Sequence, residues 1–209
     1  DKNMAEQVMW WWALESSARL AGRMGETAIE AEWREQARKL KTTLYEKAWD
    51  PVEQAWTDPD KIIRPTRHGN LLSMVSGLTE PHQVPGVMRV LEGSEAEPVN
   101  SPSMITYEVR TLAQQGKRKE ALEKLRSIWG GMLESGLNTF WEGYDPNETG
   151  NSIFAFYDRP YGKSMCHAWG AGPVFLIPEI LFGIKVTGDG WKSFEINPVS
   201  GLSEWSGLT

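Results

Sequence analysis

Apolar positions along the chain fall into two alternating kinds of helical segment. From Asn3 to Met24, the residues Val8, Met9, Trp10, Trp11, Trp12, Leu14, Ala18, Leu20 and Ala21 cover most of the helical circumference. Such a pattern predicts a helix buried on several sides. Gly25 interrupts it, and from Glu26 to Trp49 the apolar residues Ile29, Trp33, Leu40 and Leu44 keep to one stripe among charges. That spacing predicts a one-sided, outer helix.

The alternation continues. His68 to Gly77 is short, apolar and rich in small residues, and Glu80 to Leu91 follows as its partner. Ser101-Pro102 is a helix start, with serine as cap and proline at the first helical position. The helix it opens carries Met104, Ile105, Val109 and Leu112 and closes at Gly116. Lys117 to Glu134 is again amphipathic, and Ser164 to Ile184 is apolar nearly all round. An inner and outer alternation of about seven helices predicts an all-α toroid whose ring is incomplete on this chain, because seven helices do not close six hairpins. No fixed-period repeat supports a solenoid instead. The Ser164 to Ile184 segment contains Pro173, Pro178, His167 and Glu179, so it reads as a core helix and not as a membrane span. Phe194, Ile196 and Pro198 read as a short strand and turn leading out of the helical domain. The expected division is therefore a helical domain over 1–186 and the start of a β-domain or linker over 187–209.

Composition narrows the function. The net charge of −6 and the interleaving of Glu with Lys and Arg at 34–41 and 117–124 exclude a phosphate-tracking surface, so no nucleic-acid partner is expected. A single cysteine, Cys166, forbids an intrachain disulfide and a cysteine metal cluster. Its apolar setting predicts an inert, buried thiol. No cofactor or metal is called for, and no export signal is legible, so the compartment stays open. Eleven tryptophans are the outlier. Indoles fill cores, and they also stack on the apolar faces of sugars.

Candidate chemistry concentrates in the irregular stretch from Asn138 to Lys163. It sets Phe140, Trp141, Tyr144, Phe154, Phe156, Tyr157 and Tyr161 among Glu142, Asp145, Glu148 and Asp158. Aromatic rings suit sugar faces, and carboxylates supply the acid and the base that glycoside hydrolysis needs. A packed surface loop has the same composition, so composition alone leaves both readings open.

Two motifs in this region resemble a known family. The run from Leu137 through Asn138, Thr139, Phe140, Trp141, Glu142, Gly143 and Tyr144 to Asp145 is similar to the G-x-T-T-x-W-E-x-x-D segment of glycoside hydrolase family 78, the α-L-rhamnosidases. The run from Ser164 to Pro173 is similar to that family's S-L-C-H-G-W-S-A-G-P helix start. The resemblance extends from about Asn3 to Pro198. It implies the second half of an (α/α)6 barrel and an enzyme that inverts anomeric configuration. It further implies that Glu142 is the catalytic base and that His167 contacts the sugar. Trp141 is expected either to line the sugar pocket or to pack the loop. Trp169 ranks below His167 as a substrate contact. The family's Asp/Arg/Glu-rich motif, which holds the general acid, has no counterpart in these residues. The implied partners are a carbohydrate substrate and an N-terminal half of the barrel that completes the site.

Two other functions fit the same pattern. Another enzyme of this barrel, an unsaturated glucuronyl hydrolase or a polysaccharide lyase, needs a cation for a uronic carboxylate, and Arg159 and Lys163 are the candidates. A non-catalytic carbohydrate-binding scaffold is consistent with the missing acid motif, whereas the Trp141-Glu142 pair argues against it.

Overall fold

The computed structural model describes residues 3–58, 65–136 and 138–199. The chain divides into two units, Asp1–Val99 and Asn100–Thr209. Each is a set of helical hairpins.

In the first unit, helix α1 (Met4–Arg23) starts where the Asn3 side chain accepts the Glu6 backbone N–H. It buries Met4, Val8, Trp11, Leu14, Ala18 and Ala21, spaced three or four apart. The expectation of burial on several sides is corrected here. Met9, Trp10 and Leu20 are 56–59% exposed. The reason is geometric: α1 packs on α2 (Thr27–Ala48) and α3 (Arg67–Ser76), and two neighbours cover one stripe. Helix α2 is one-sided, burying Ala37, Leu44 and Ala48, although Ile29 of the expected stripe is 40% exposed. The Arg38–Glu35 pair lies on its open face, whereas the Arg34–Glu30 pair faces Glu15 of α1. A two-residue antiparallel ribbon follows, β1 (Trp49–Asp50) with β2 (Ala55–Trp56), which the helical periodicity did not announce.

Trp56 is fully buried, edge-on to Tyr45 at 4.9 Å and to Trp49 at 5.1 Å. Asn70 of α3 completes its backbone, accepting the Trp56 N–H at 3.0 Å and donating its amide to the Trp56 carbonyl at 2.8 Å. A buried side-chain amide here does the work of a missing strand. Helix α4 (Val84–Glu92) begins four residues later than the apolar pattern suggested. Pro81 and Pro85 bracket the start, and Gln83 accepts the Glu80 N–H on its side chain, closing a turn in place of helix. Helix α4 then buries Val87, Met88, Val90 and Leu91.

In the second unit, Ser101 caps α5 (Pro102–Gln114), accepting the Met104 N–H, with Pro102 at the first position. Gly116, at φ +80°, ends it. The Lys117 N–H donates to the Leu112 carbonyl at 2.9 Å and the Gly116 N–H to Ala113 at 3.1 Å. This paired closure needs a left-handed residue, which glycine adopts without steric cost.

The next rod runs through α6 (Arg118–Leu125), a π-helical turn over Arg126–Gly130, and α7 (Gly131–Glu134). It buries Ala121, Leu122, Leu125, Ile128, Trp129 and Met132. Counting it as one, the described residues hold seven helical rods, as the periodicity predicts. Helix α8 (Pro173–Leu181) is shorter than the expected Ser164 to Ile184 element. Residues 164–172 are irregular apart from a 3₁₀ turn at Ala168–Gly170. Periodicity could not register the local punctuation of Gly170, Gly172 and Pro173, which delays the helix to a proline start. Helix α8 buries only Pro173, Leu176 and Ile180, while Val174 is 68% exposed, so the all-round burial expected for this segment is also corrected.

After it, β3 (Lys185–Val186) pairs antiparallel with β4 (Phe194–Glu195), the short strand foreseen in the tail. The Arg118 guanidinium donates to the Asn197 carbonyl at 2.7 Å and ties this ribbon to α6. The rest of the foreseen tail, 200–209, lies outside the described residues. Among those described, no helix is long and apolar enough to cross a membrane.

Candidate active site

The site is built by two chain segments of the second unit lying side by side. The Glu142 N–H donates to the Ser164 carbonyl at 2.9 Å, and the His167 N–H donates to the Phe140 carbonyl at 2.7 Å. The Thr139 hydroxyl donates to the Met165 carbonyl. The two family-like motifs are thus hydrogen-bonded to each other.

Beneath this pairing sits Trp141, fully buried and edge-on to Tyr144 at 5.7 Å. Of the two roles open to Trp141 in the sequence, its burial matches packing of the loop. Trp129, buried on the π-helical turn, donates its indole N–H to the Gly170 carbonyl at 2.7 Å. Gly172 completes the seat: a Cβ there would stand 2.0 Å from Thr106 Oγ1 of α5, so only glycine permits the approach.

Alternate residues on this seat point differently, and Glu142, next to buried Trp141, reaches outward. Its Oε2 accepts the Ser164 backbone N–H at 3.0 Å, and its Oε1 accepts the Tyr157 hydroxyl at 2.9 Å. The Ser164 amide, foremost, then the Tyr157 hydroxyl and the nearby His167 charge hold its carboxyl below the ordinary value of 4.5. The same bond raises the Tyr157 phenol above its ordinary 10.0, since ionising it would set two anions together.

Two of the other acids of the loop are otherwise engaged. Glu148 accepts from Lys163 Nζ at 2.7 Å, and Asp145 accepts both the backbone and side-chain N–H of Asn147 in a turn. Asp158 is exposed in a turn at φ +57°. Lys163, one of two cations considered for a uronic carboxylate, has a side chain only 2% exposed and is committed to Glu148.

His167 is half-buried at the entry to the 3₁₀ turn, its ring edge-on to Trp169 at 5.9 Å. Trp169, expected to pack more than to touch ligand, is 77% exposed. Cys166 is also exposed, which corrects the buried thiol expected for it: the residue lies in the irregular approach to α8 and not inside a core helix. Among the described residues, no group of three or more His, Cys, Asp or Glu side chains is placed to hold a metal. In the sequence, Tyr157 is only one aromatic among the seven of this stretch. No spacing rule signals it, because its contact with Glu142 spans fifteen residues of irregular chain.

Solved structures share this arrangement of chain. A rhamnosidase from Klebsiella oxytoca, solved with rhamnose bound, is 26% identical with a TM-score of 0.72, over 85% of this chain and 34% of its own. A glycoside hydrolase family 78 rhamnosidase of Bacillus sp. GL1 is 23% identical with a TM-score of 0.76, over 92% of this chain and 20% of its own. The second likeness concerns fold alone. The chain thus spans about a third and a fifth of the length of these two proteins. No curated protein matches it. Residues 1–181 match the bacterial α-L-rhamnosidase six-hairpin glycosidase domain, and the chain belongs to that family of α/α-toroid glycosidases.

Proposed function

We propose that this chain is part of an inverting glycoside hydrolase that releases a terminal α-L-rhamnose-like sugar, with Glu142 as the general base. The observation that supports it best is the Glu142 carboxylate, anchored at both oxygens by Ser164 and Tyr157 and kept ionised. An inverting hydrolase needs such a group to deprotonate the water that attacks the anomeric carbon. A carboxylate has about four lone-pair directions, so two remain to hold that water. His167 and the exposed face of Trp169 are the proposed sugar contacts. Buried Trp141 supports the loop from below. The rhamnose bound to the Klebsiella oxytoca relative favours a deoxyhexose of that kind. The engagement of Lys163 by Glu148 weighs against a uronic-acid substrate.

The general acid belongs, in this proposal, to chain outside these residues, in an N-terminal half of the barrel. The helical domain runs over 1–186, and 187–209 leads towards a further domain or linker.

The test is Glu142→Gln in the enzyme that contains both halves. Turnover on an aryl α-L-rhamnoside should fall by ~10²–10⁴-fold with binding retained. Azide, which needs no deprotonation, should restore turnover and yield a glycosyl azide of inverted configuration. Near-normal turnover in Glu142→Gln, with loss in Asp158→Asn, would refute the assignment. Because its carboxyl is held below 4.5, the base stays ionised as pH falls through the usual glutamate range. The acidic limb of kcat/KM should therefore lie below that value.

A further inference from the structure

We propose that Tyr157 is a positioning residue for Glu142, fixing the plane of the carboxylate through its hydroxyl. The role rests on Glu142 being the general base. A carboxylate held by one donor still rotates about its last carbon–carbon bond. Ser164 supplies the first donor from a segment tied to Glu142 by backbone pairing, and Tyr157 supplies the second on the other oxygen. Two donors on different oxygens define the plane and so aim the remaining lone pairs at one place. A base that must take a proton from one particular water gains from that restriction.

Three features show that the chain is shaped to deliver this hydroxyl. First, Tyr157 and Asp158 both have positive φ, +51° and +57°, a conformation that side chains other than glycine rarely adopt. They form the tip of a tight hairpin in which Phe156 and Arg159 exchange both backbone hydrogen bonds at 3.0 Å. Backbone strain of this kind persists only where the surroundings enforce it, and it gathers at working sites.

Second, the hairpin is pinned from below. The Lys163 N–H donates to the Phe154 carbonyl at 3.0 Å, and the buried Lys163 ammonium lies 6.0 Å from the Phe156 ring centre while paired to Glu148. The Tyr157 ring stands edge-on to Phe156 at 4.4 Å. Third, Tyr157 is 71% exposed, so core packing does not explain a tyrosine in a strained turn. Its bond to Glu142 does.

The test is Tyr157→Phe in the enzyme containing this chain. The substitution keeps the ring and removes only the donor. Turnover near neutral pH should fall roughly two- to tenfold, the worth of one hydrogen bond, with KM nearly unchanged. The acidic limb of the kcat/KM profile should move upward, because the ionised base has lost a donor. Carboxyl-labelled glutamate read by NMR should show the Glu142 titration moving upward with it. Tyr161→Phe, at another exposed tyrosine of the same loop, should leave both curves in place.

If neither curve moves in Tyr157→Phe, the positioning role is overturned while the base assignment stands. If the Glu142 titration moves and the acidic limb does not, Glu142 is not the base, and this role falls with it.

Discussion

The helical hairpins and the segment from Asn138 to Gly172 are held together by different forces. In the hairpins, stability is spread along stripes such as Val8, Trp11, Leu14 and Ala18, where each residue adds its share of buried apolar area. In the segment, few residues are buried, and the chain is located by particular contacts: the Lys163–Glu148 pair, the Trp129 bond to Gly170 and the Glu142–Ser164 pairing. A stripe tolerates exchange of one apolar residue for another, because burial is not directional. A hydrogen bond or an ion pair does not. Rigid scaffold and addressable loop are thus made from different interactions, and a site needs both.

This contrast leads to a graded set of expectations. The largest effect belongs to the hairpin core. Trp56→Ala removes a fully buried indole wedged against Tyr45 and Trp49 and should cost about 3–5 kcal/mol. Urea denaturation followed by circular dichroism measures it. A loss under 1 kcal/mol would mean that the hairpins do not rest on this packing.

Next comes the ion pair of the loop. Glu148→Ala leaves the Lys163 ammonium buried without its partner, at a cost of about 3 kcal/mol. Lys163→Met should cost clearly less, because the Glu148 side chain is 31% exposed and can take up water. Equal losses in the two variants would show that burial of Lys163 is not what makes the pair matter. A smaller effect is expected where the two regions meet. Gly172→Ala forces a methyl group towards Thr106 Oγ1, and overpacking of this kind costs about 1–3 kcal/mol. Pairing it with Thr106→Ala should recover part of the loss in a double-mutant cycle. The smallest effect is at the start of α5, where Ser101→Ala removes a helix cap worth about 1 kcal/mol and should leave turnover unchanged.

Most of the helical layout is legible in the residues. Asn3, Ser101-Pro102, Gly25, Gly77 and Gly116 mark ends by local chemistry, and the three-to-four spacing marks the buried stripe of each rod. Local rules suffice there because a helix closes its own hydrogen bonds within four residues. Glu142 is proposed as the base because of the motif it sits in. Its environment is not legible there, since Tyr157 and Ser164 reach it from fifteen and twenty-two residues away through irregular chain.

The same limit explains the misread ends of the chain. Periodicity counts how many apolar residues a helix offers, but the number of its neighbours settles how many are covered. Trp10 therefore stands exposed on α1, and Val174 on α8. The residues specify the rods, their caps and the motif that holds the proposed base, because those depend on near neighbours in the chain. Tertiary packing sets which faces are covered, how the loop closes over Trp141 and which donors aim Glu142, because those depend on contacts that no local pattern encodes.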